Sequence, residues 1–475
     1  INNVQRGYIR AMVSDLSSNK VVFINGMVFA DGDLRSCMVV VEEGKITELL
    51  ETGTDVSDLT TIDLQGKYLL PGAIDVHVHC RAPAAPERGD FATETRAAAA
   101  GGVTTMLEMP ISKPCVNSSV ILESRKKLGE DNAYVDFGLY CGPVGCDEQV
   151  IEDMVNAGAI AFKAFMVDAP PGREDEFDGI AAANRSDLLM AFQKTAKYDI
   201  PFVIHCEDEQ LLNHYINLAL ESDLSDPMVH PKSRPDIVEA VAIAGAVSLA
   251  EHANRPIHIA HVSSAKGVDI IRHAIQSGVD VTGEVCLHYL EFTADVLSKA
   301  GPYAKVNPPI RFKNDQEALW AGVRDNTLMI LTTDHAPFTA AEKEATWHDL
   351  VSSPPGLPSL EMLYPMSLHY ALNGQWDLSK SIELVCESPA KLFNLWPRKG
   401  TISVGSDADF VVFDPKDEHV VDSANWFTKA KDCDRVYSGL NINGRILQTY
   451  VRGNLIYSNG EIAGERGYGQ FLRPN

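Results

Sequence analysis

The hydrophobic pattern along the chain changes texture twice. From about Lys20 to Leu70, short apolar runs ("VVFINGMVF", "CMVVVEEGKITELL", "TTIDLQGKYLLPG") are punctuated by Gly26, Gly44 and Gly66, as tight β-turns require. From Ile74 to about Leu395, short apolar stretches such as "TTMLEM", "PFVIHCE", "PIHIAHV" and "LMILTTD" are separated by longer segments of helical period. "RSDLLMAFQKTAKYD" and "PDIVEAVAIAGAVSLAEHA" are two of these. Strand–helix alternation sustained over this length predicts an α/β fold, a parallel sheet closed into a (β/α)8 TIM barrel. After Lys399 the strand texture returns in "GTISVGSDADFVVFDP" and "ILQTYVRGNLIYSNG". The flanking segments predict one small β-sandwich built from both ends of the chain. The expected order is a first sandwich segment over 20–70, the barrel over 71–398, and a second sandwich segment with a C-terminal tail over 399–475.

In such a barrel, chemistry collects at the C-terminal ends of the strands. The first predicted strand ends in "AIDVHVHCR", and because side chains alternate along a strand, His77 and His79 face the same way. "AFKAF" places Lys163 inside an apolar run, "VIHCE" ends in His205, "IAHVSS" in His261 and "LTTDHAP" in Asp334. Each alone has an ordinary reading, as a hydrogen-bonded core histidine or an aspartate cap. Gathered at successive strand ends, they exceed what packing requires.

Lys163 sharpens the case. An ammonium among Ile160, Phe162, Phe165 and Met166 must reach water along its stem or lose its proton. A neutral amine adds CO2 to form a carbamate, whose two oxygens can bridge two cations. The expected site therefore has His77 and His79 on one divalent ion, His205 and His261 on the other, and carbamylated Lys163 between them, with Asp334 completing the first. Nitrogen and oxygen ligands without thiolate suit zinc, with manganese, iron or cobalt as alternatives. Such a pair of ions makes water a nucleophile at neutral pH and polarises a carbonyl. With Asp334 carrying the proton to a departing nitrogen, the chemistry is hydrolysis of an amide-like bond.

Composition narrows the partners. The 475 residues hold 65 acidic and 41 basic side chains, a formal charge of -24, with no basic cluster longer than "SRKK". A nucleic-acid partner is not expected. Nine cysteines occur without repeated spacing, and "CGPVGC" (Cys141, Cys146) has no second pair to complete a zinc ribbon. They read as reduced packing residues, and the expected location is cytoplasmic. "INNVQRGYIR" has no apolar signal core, and no run of about twenty apolar residues predicts a membrane span.

The motifs "PGAIDVHVH", "GAIAFKAFM", "HCEDEQL", "IAHVSSAKGVD", "GEVCLHYLEFT", "KVNPPIR" and "TTDHAP" together resemble the cyclic amidohydrolases: allantoinase, dihydropyrimidinase (hydantoinase) and dihydroorotase. The resemblance covers nearly the whole chain. It implies a binuclear metal site on a barrel with a β-sandwich, a dimer or tetramer, a small cyclic amide as substrate, and the same six ligand positions. Arg81 in "HCRAP" matches the arginine that dihydroorotases use for a substrate carboxylate, although it reads equally well as a salt bridge shaping the first loop. Ile111 in "MPISKP" and Phe338 in "DHAPF" replace two further dihydroorotase markers.

"FATETRAAAAGGVTTMLEMP" and the tail "SGLNINGRILQTYVRGNLIY" are similar to the allantoinase branch. The expected reaction is thus allantoin to allantoate, in purine metabolism. Hydantoin or dihydropyrimidine opening is the alternative, then dihydroorotase, and a non-catalytic scaffold is the opposing class. Arg81, Asn307, Gly356 and His335 are expected to meet the substrate, and His288 and His335 to orient ligands. Asn307 and the proline-rich "SSPPGLPSLE" depart from the family pattern and bear on pocket shape. His214, His230, His252 and His273 are expected to be structural or exposed.

Overall fold

The structure is a computed structural model that describes residues 20–475. Six strands precede the barrel: β1 (Val21–Ile24), β2 (Met27–Ala30), β3 (Asp33–Glu42), β4 (Lys45–Glu51), β5 (Thr60–Asp63) and β6 (Tyr68–Pro71). The barrel follows as β7 (Ala73–Val78), β8 (Val103–Glu108), β9 (Asp136–Cys141), β10 (Ala161–Phe165), β11 (Phe202–His205), β12 (Ile257–Ile259), β13 (Val281–Cys286) and β14 (Ile330–Thr332). Then come β15 (Phe410–Val420), β16 (Asn441–Val451), β17 (Asn454–Ser458) and β18 (Glu461–Ile462).

The sandwich draws on both ends of the chain, as expected. β15 runs antiparallel to β6 on one side, pairing Val412 with Leu69, and to β16 on the other. β3 serves two layers, pairing Asp33–Ser36 with β2 and Cys37–Glu42 with β4. Phe23 packs edge-on against Phe410 and Tyr450, with ring centroids 5.2 and 5.1 Å away.

β7 to β14 are neighbours in sequence order, each parallel to the last. Such strands are covered on both faces, which is why they read as continuous apolar runs rather than alternating ones. β7, β8, β9 and β10 are buried along their whole length. The predicted helices form over Arg185–Thr195 and Asp236–Ala253, the latter ended by Asn254 in a left-handed conformation. The ring closes between β14 and β7 through a bridge from His335 to Val78. Buried Asp75 reinforces it by accepting the hydroxyls of Thr332 (2.6 Å) and Thr333 (2.5 Å).

A buried ionic hub ties sandwich to barrel. Lys399 Nζ lies 2.5, 3.0 and 2.7 Å from Asp136, Asp407 and Asp409, and Arg452 also binds Asp136. Burial disfavours the ammonium, but three carboxylates outweigh that and hold its pKa above the ordinary lysine value. The three aspartates have the spacing of a cation site, and Lys399 is the cation that fills it. Lys399→Met would leave Asp409 buried with no cationic partner among the described residues, Asp136 with only Arg452, and Asp407 with only Lys45 and Arg398. It is expected to cost about 3–5 kcal/mol, read as a lowered midpoint in urea unfolding.

Candidate active site

The six expected side chains converge at one end of the barrel. His77 lies in β7, Lys163 in β10 and His205 ends β11, whereas His79, His261 and Asp334 sit just past their strands. His261 (φ 36°), Asp334 (φ 47°) and Arg81 (φ 63°) adopt left-handed backbone conformations. Residues other than glycine seldom do so, and the strain is tolerated where the surrounding fold holds the chain in place. His77 Nε2 and His79 Nε2 both approach Asp334 Oδ1, at 3.3 and 3.2 Å. His205 Nδ1 faces His261 Nε2 at 3.0 Å. Donor atoms of His77, His261 and Asp334 lie within 4.8 Å of one another, which joins the two halves.

Lys163 is fully buried, and its Nζ has no hydrogen-bond partner among the described residues. Burial pulls its pKa down to about 8, against the pull of Glu284 and Asp334. An amine that is partly neutral near pH 7, with His205, His261 and Asp334 nearby, fits the donor set for a carbamate bridging two cations. Two nitrogens converging on one carboxylate oxygen, and two more on each other, suit divalent ions of the zinc type.

Around this ring stand residues that the sequence motifs did not single out. Glu284 Oε1 accepts His77 Nδ1–H at 2.5 Å, which leaves the Nε2 lone pair free for a cation. Its other oxygen lies 3.1 Å from His258 Nε2, and the His261 backbone N–H donates to Oε1 at 3.2 Å. On the opposite side His205 Nε2–H donates to Glu207 (2.8 Å), which Arg234 also holds (2.5 Å). Burial would raise both carboxyls, but His77 and His258 for Glu284, and Arg234 and His205 for Glu207, hold them well below the usual range. A signal was present: "VTGEVC" puts a carboxylate inside an apolar strand, as "AFKAF" does a lysine.

A cavity of about 540 Å³ opens onto the ring, large enough for a small heterocycle. Arg81, Asn307 and Gly356 line it, with Ile111 and Phe338. At Gly356 a Cβ would fall 2.3 Å from the Ala336 carbonyl oxygen, so only glycine fits. The Asn307 amide donates to Val306 O (3.1 Å) and accepts from Arg234 (3.3 Å). Arg81 forms no salt bridge among the described residues. Its Nε donates to Pro337 O at 3.4 Å and its guanidinium lies 4.6 Å from the Phe338 ring centre.

The structure corrects the substrate role expected for His335. The residue is buried away from the cavity, with Nε2–H on Glu94 (2.8 Å) and Nδ1 accepting from the backbone of Ser359 (3.1 Å) and Leu360 (3.3 Å). It braces the loop beside Asp334 instead. His288 is fully buried with neither ring nitrogen paired among the described residues. His214, His252 and His273 are exposed, and buried His230 binds the Val306 carbonyl through Nε2 (2.8 Å), both as expected. All nine cysteines are free, and eight are buried. No helix among the described residues is long and apolar enough to cross a membrane.

A (β/α)8 barrel with this ring at its strand ends defines an enzyme of the barrel class. The chain belongs to the amidohydrolase family, whose model matches residues 68–456. It is 33% identical over 449 residues to an L-hydantoinase of Paenarthrobacter aurescens, covering 94% of this chain and 96% of that one. It is 32% identical over 423 residues to a dihydroorotase of Acetivibrio thermocellus, covering 88% and 94%. Among solved structures, the L-hydantoinase (dihydropyrimidinase) from Arthrobacter aurescens matches with a TM-score of 0.90 at 32% identity, over 96% of this chain and 100% of that one. None of these three is an allantoinase, so the nearness to that branch expected from the tail is not confirmed.

Two predictions rest on this geometry. Glu284→Gln takes the charge from the partner of His77 and is expected to weaken metal binding about 10–100-fold, measured by competition with a chromogenic chelator. His288 gives a pH dependence. Burial lowers its pKa to about 4 from 6.5, so between those values the unfolded chain holds a proton that the folded chain does not. In the metal-free protein the contribution of this residue is complete above about pH 6.5, and about 3 kcal/mol of it is lost by pH 4. His288→Phe should flatten that slope in denaturant midpoints taken at pH 7 and pH 5.

Proposed function

We propose that this chain hydrolytically opens the ring of a cyclic amide or ureide, with a hydantoin or dihydropyrimidine as first substrate and allantoin as second. One observation carries the reading: Lys163 Nζ is buried without a partner among the described residues, near His205, His261 and Asp334, and these three line a ring-sized cavity together with His77 and His79. The neutral amine attacks CO2, a C–N bond forms as one C=O π bond opens onto its oxygen, the amine proton leaves to solvent, and the new carboxylate offers two oxygens. His77, His79 and Asp334 would hold one divalent cation, His205 and His261 the other, and carbamylated Lys163 both, with zinc the first choice. Bound there, the ions would supply Lewis acidity and a water acidic enough to react near neutral pH.

The remaining work falls to the chain. Asp334 stands where it can take the proton of the attacking water and return it to the departing ring nitrogen. Glu284 and Glu207 hold His77 and His205 in the required tautomers. Ile111 and Phe338 form apolar walls, and Asn307 and Gly356 border the cavity where a ring amide would lie. The hydantoin reading is supported by the L-hydantoinase likeness in both sequence and structure. Dihydroorotate is placed third: Ile111 and Phe338 cannot hydrogen-bond its carboxylate, which leaves Arg81 as the one expected carboxylate partner in the cavity wall.

The test is turnover by the zinc- or manganese-loaded protein with bicarbonate, on 5-substituted hydantoins, dihydrouracil, allantoin and dihydroorotate side by side. Opening of a hydantoin or dihydrouracil is expected. Lys163→Ala removes a group proposed to hold both cations and should reduce it by at least about a hundredfold, since losing only an outer partner of a metal ligand already costs up to that much. Turnover of allantoin alone would move the enzyme to that branch. Inactivity on all four, with no bound metal, would favour a scaffold.

A further inference from the structure

A second cavity, of about 430 Å³, lies between the sandwich strands β15 and β16 and the barrel segment around Glu361, and shares no lining residue with the first. Its wall holds an unusual carboxyl. Glu361 is only 8% exposed. Its Oε1 accepts the backbone N–H groups of Phe427 (2.6 Å) and Thr428 (3.2 Å), whereas Oε2 has no hydrogen-bond partner among the described residues. Trp426, Phe427 and Tyr457 line the same cavity, with the rings of Phe427 and Tyr457 6.2 Å apart and edge-on. Arg445, the lining guanidinium, is already paired with Asp417 at 3.0 Å, and His419 Nδ1 lies 3.6 Å from the same carboxylate. Asp422 adds another acidic group to the wall.

A free carboxyl oxygen in a cavity lined by aromatic side chains is recognition chemistry for an ammonium ion: the oxygen accepts its N–H groups or balances its charge, and an aromatic ring attracts a cation that meets its face. We propose that this cavity is a binding site for a small organic cation, a primary or methylated ammonium, with Glu361 as counter-charge and Trp426, Phe427 and Tyr457 as its aromatic wall. Burial, with Glu94 nearby, favours the protonated Glu361 carboxyl in the empty cavity, and a bound cation would offset that cost and draw out the ionised form that serves as its counter-charge. The site is separate from the ring-opening reaction and does not depend on it.

Calorimetric titration of the full chain with n-butylammonium and tetramethylammonium, against 1-butanol and butyrate as neutral and anionic counterparts, tests this. Saturable binding of one ammonium per chain is expected, with none of the alcohol or the anion. Glu361→Gln should weaken it at least about tenfold, and Tyr457→Leu about fivefold. Tyr457 is only half-buried, so its variant keeps the test decisive where Glu361→Gln fails to fold. Absence of saturable ammonium binding, equal binding of 1-butanol, or unchanged affinity in the folded variants overturns the proposal.

Discussion

A carboxylate set into the middle of an apolar strand governs the barrel mouth. Glu284, fully buried in β13, reaches His77 on β7, His258 on β12 and the backbone of His261 beyond it. An isolated charge at that depth would be strongly destabilising, and three donors offset the cost. The same bonds orient two of the four histidines of the ring. β7, β12 and β13 are thereby tied together by a group that also orients the ring.

Two buried lysines show how structure and chemistry use one residue type differently. Lys399 is surrounded by three aspartates, stays charged and fastens the sandwich to the barrel. Lys163 meets no partner among the described residues and is pushed toward neutrality. A fold that needed only stability would place a leucine or methionine there. An unsatisfied amine among imidazoles is the kind of local cost that functional sites carry and the surrounding core absorbs.

The sandwich also reaches the site through the segment that follows β15. Phe427 and Thr428 bind Glu361, the Lys429 N–H donates to Glu94 (3.3 Å), and Cys433 contacts the Phe338 carbonyl. Glu94 in turn holds His335, beside Asp334. The C-terminal segment of the chain thus buttresses the loop that carries Asp334. This gives a physical reason for barrel and sandwich to occur together.

The periodicity of the chain determined the alternation of strands and helices, and the strand-end motifs named His77, His79, Lys163, His205, His261 and Asp334 together, because side-chain type and two-residue spacing are local properties. Tertiary structure decided what depends on neighbours distant in sequence. Glu284 meets His77 across 207 residues and Glu94 meets His335 across 241, so neither tautomer nor orientation is written in any one motif. The same holds for Arg81, which pairs with a carbonyl and an aromatic ring rather than an acid, and for His335, which faces inward. Hydrogen-bond direction and burial arise only when strands close into a barrel, and that closure lies beyond the reach of local pattern.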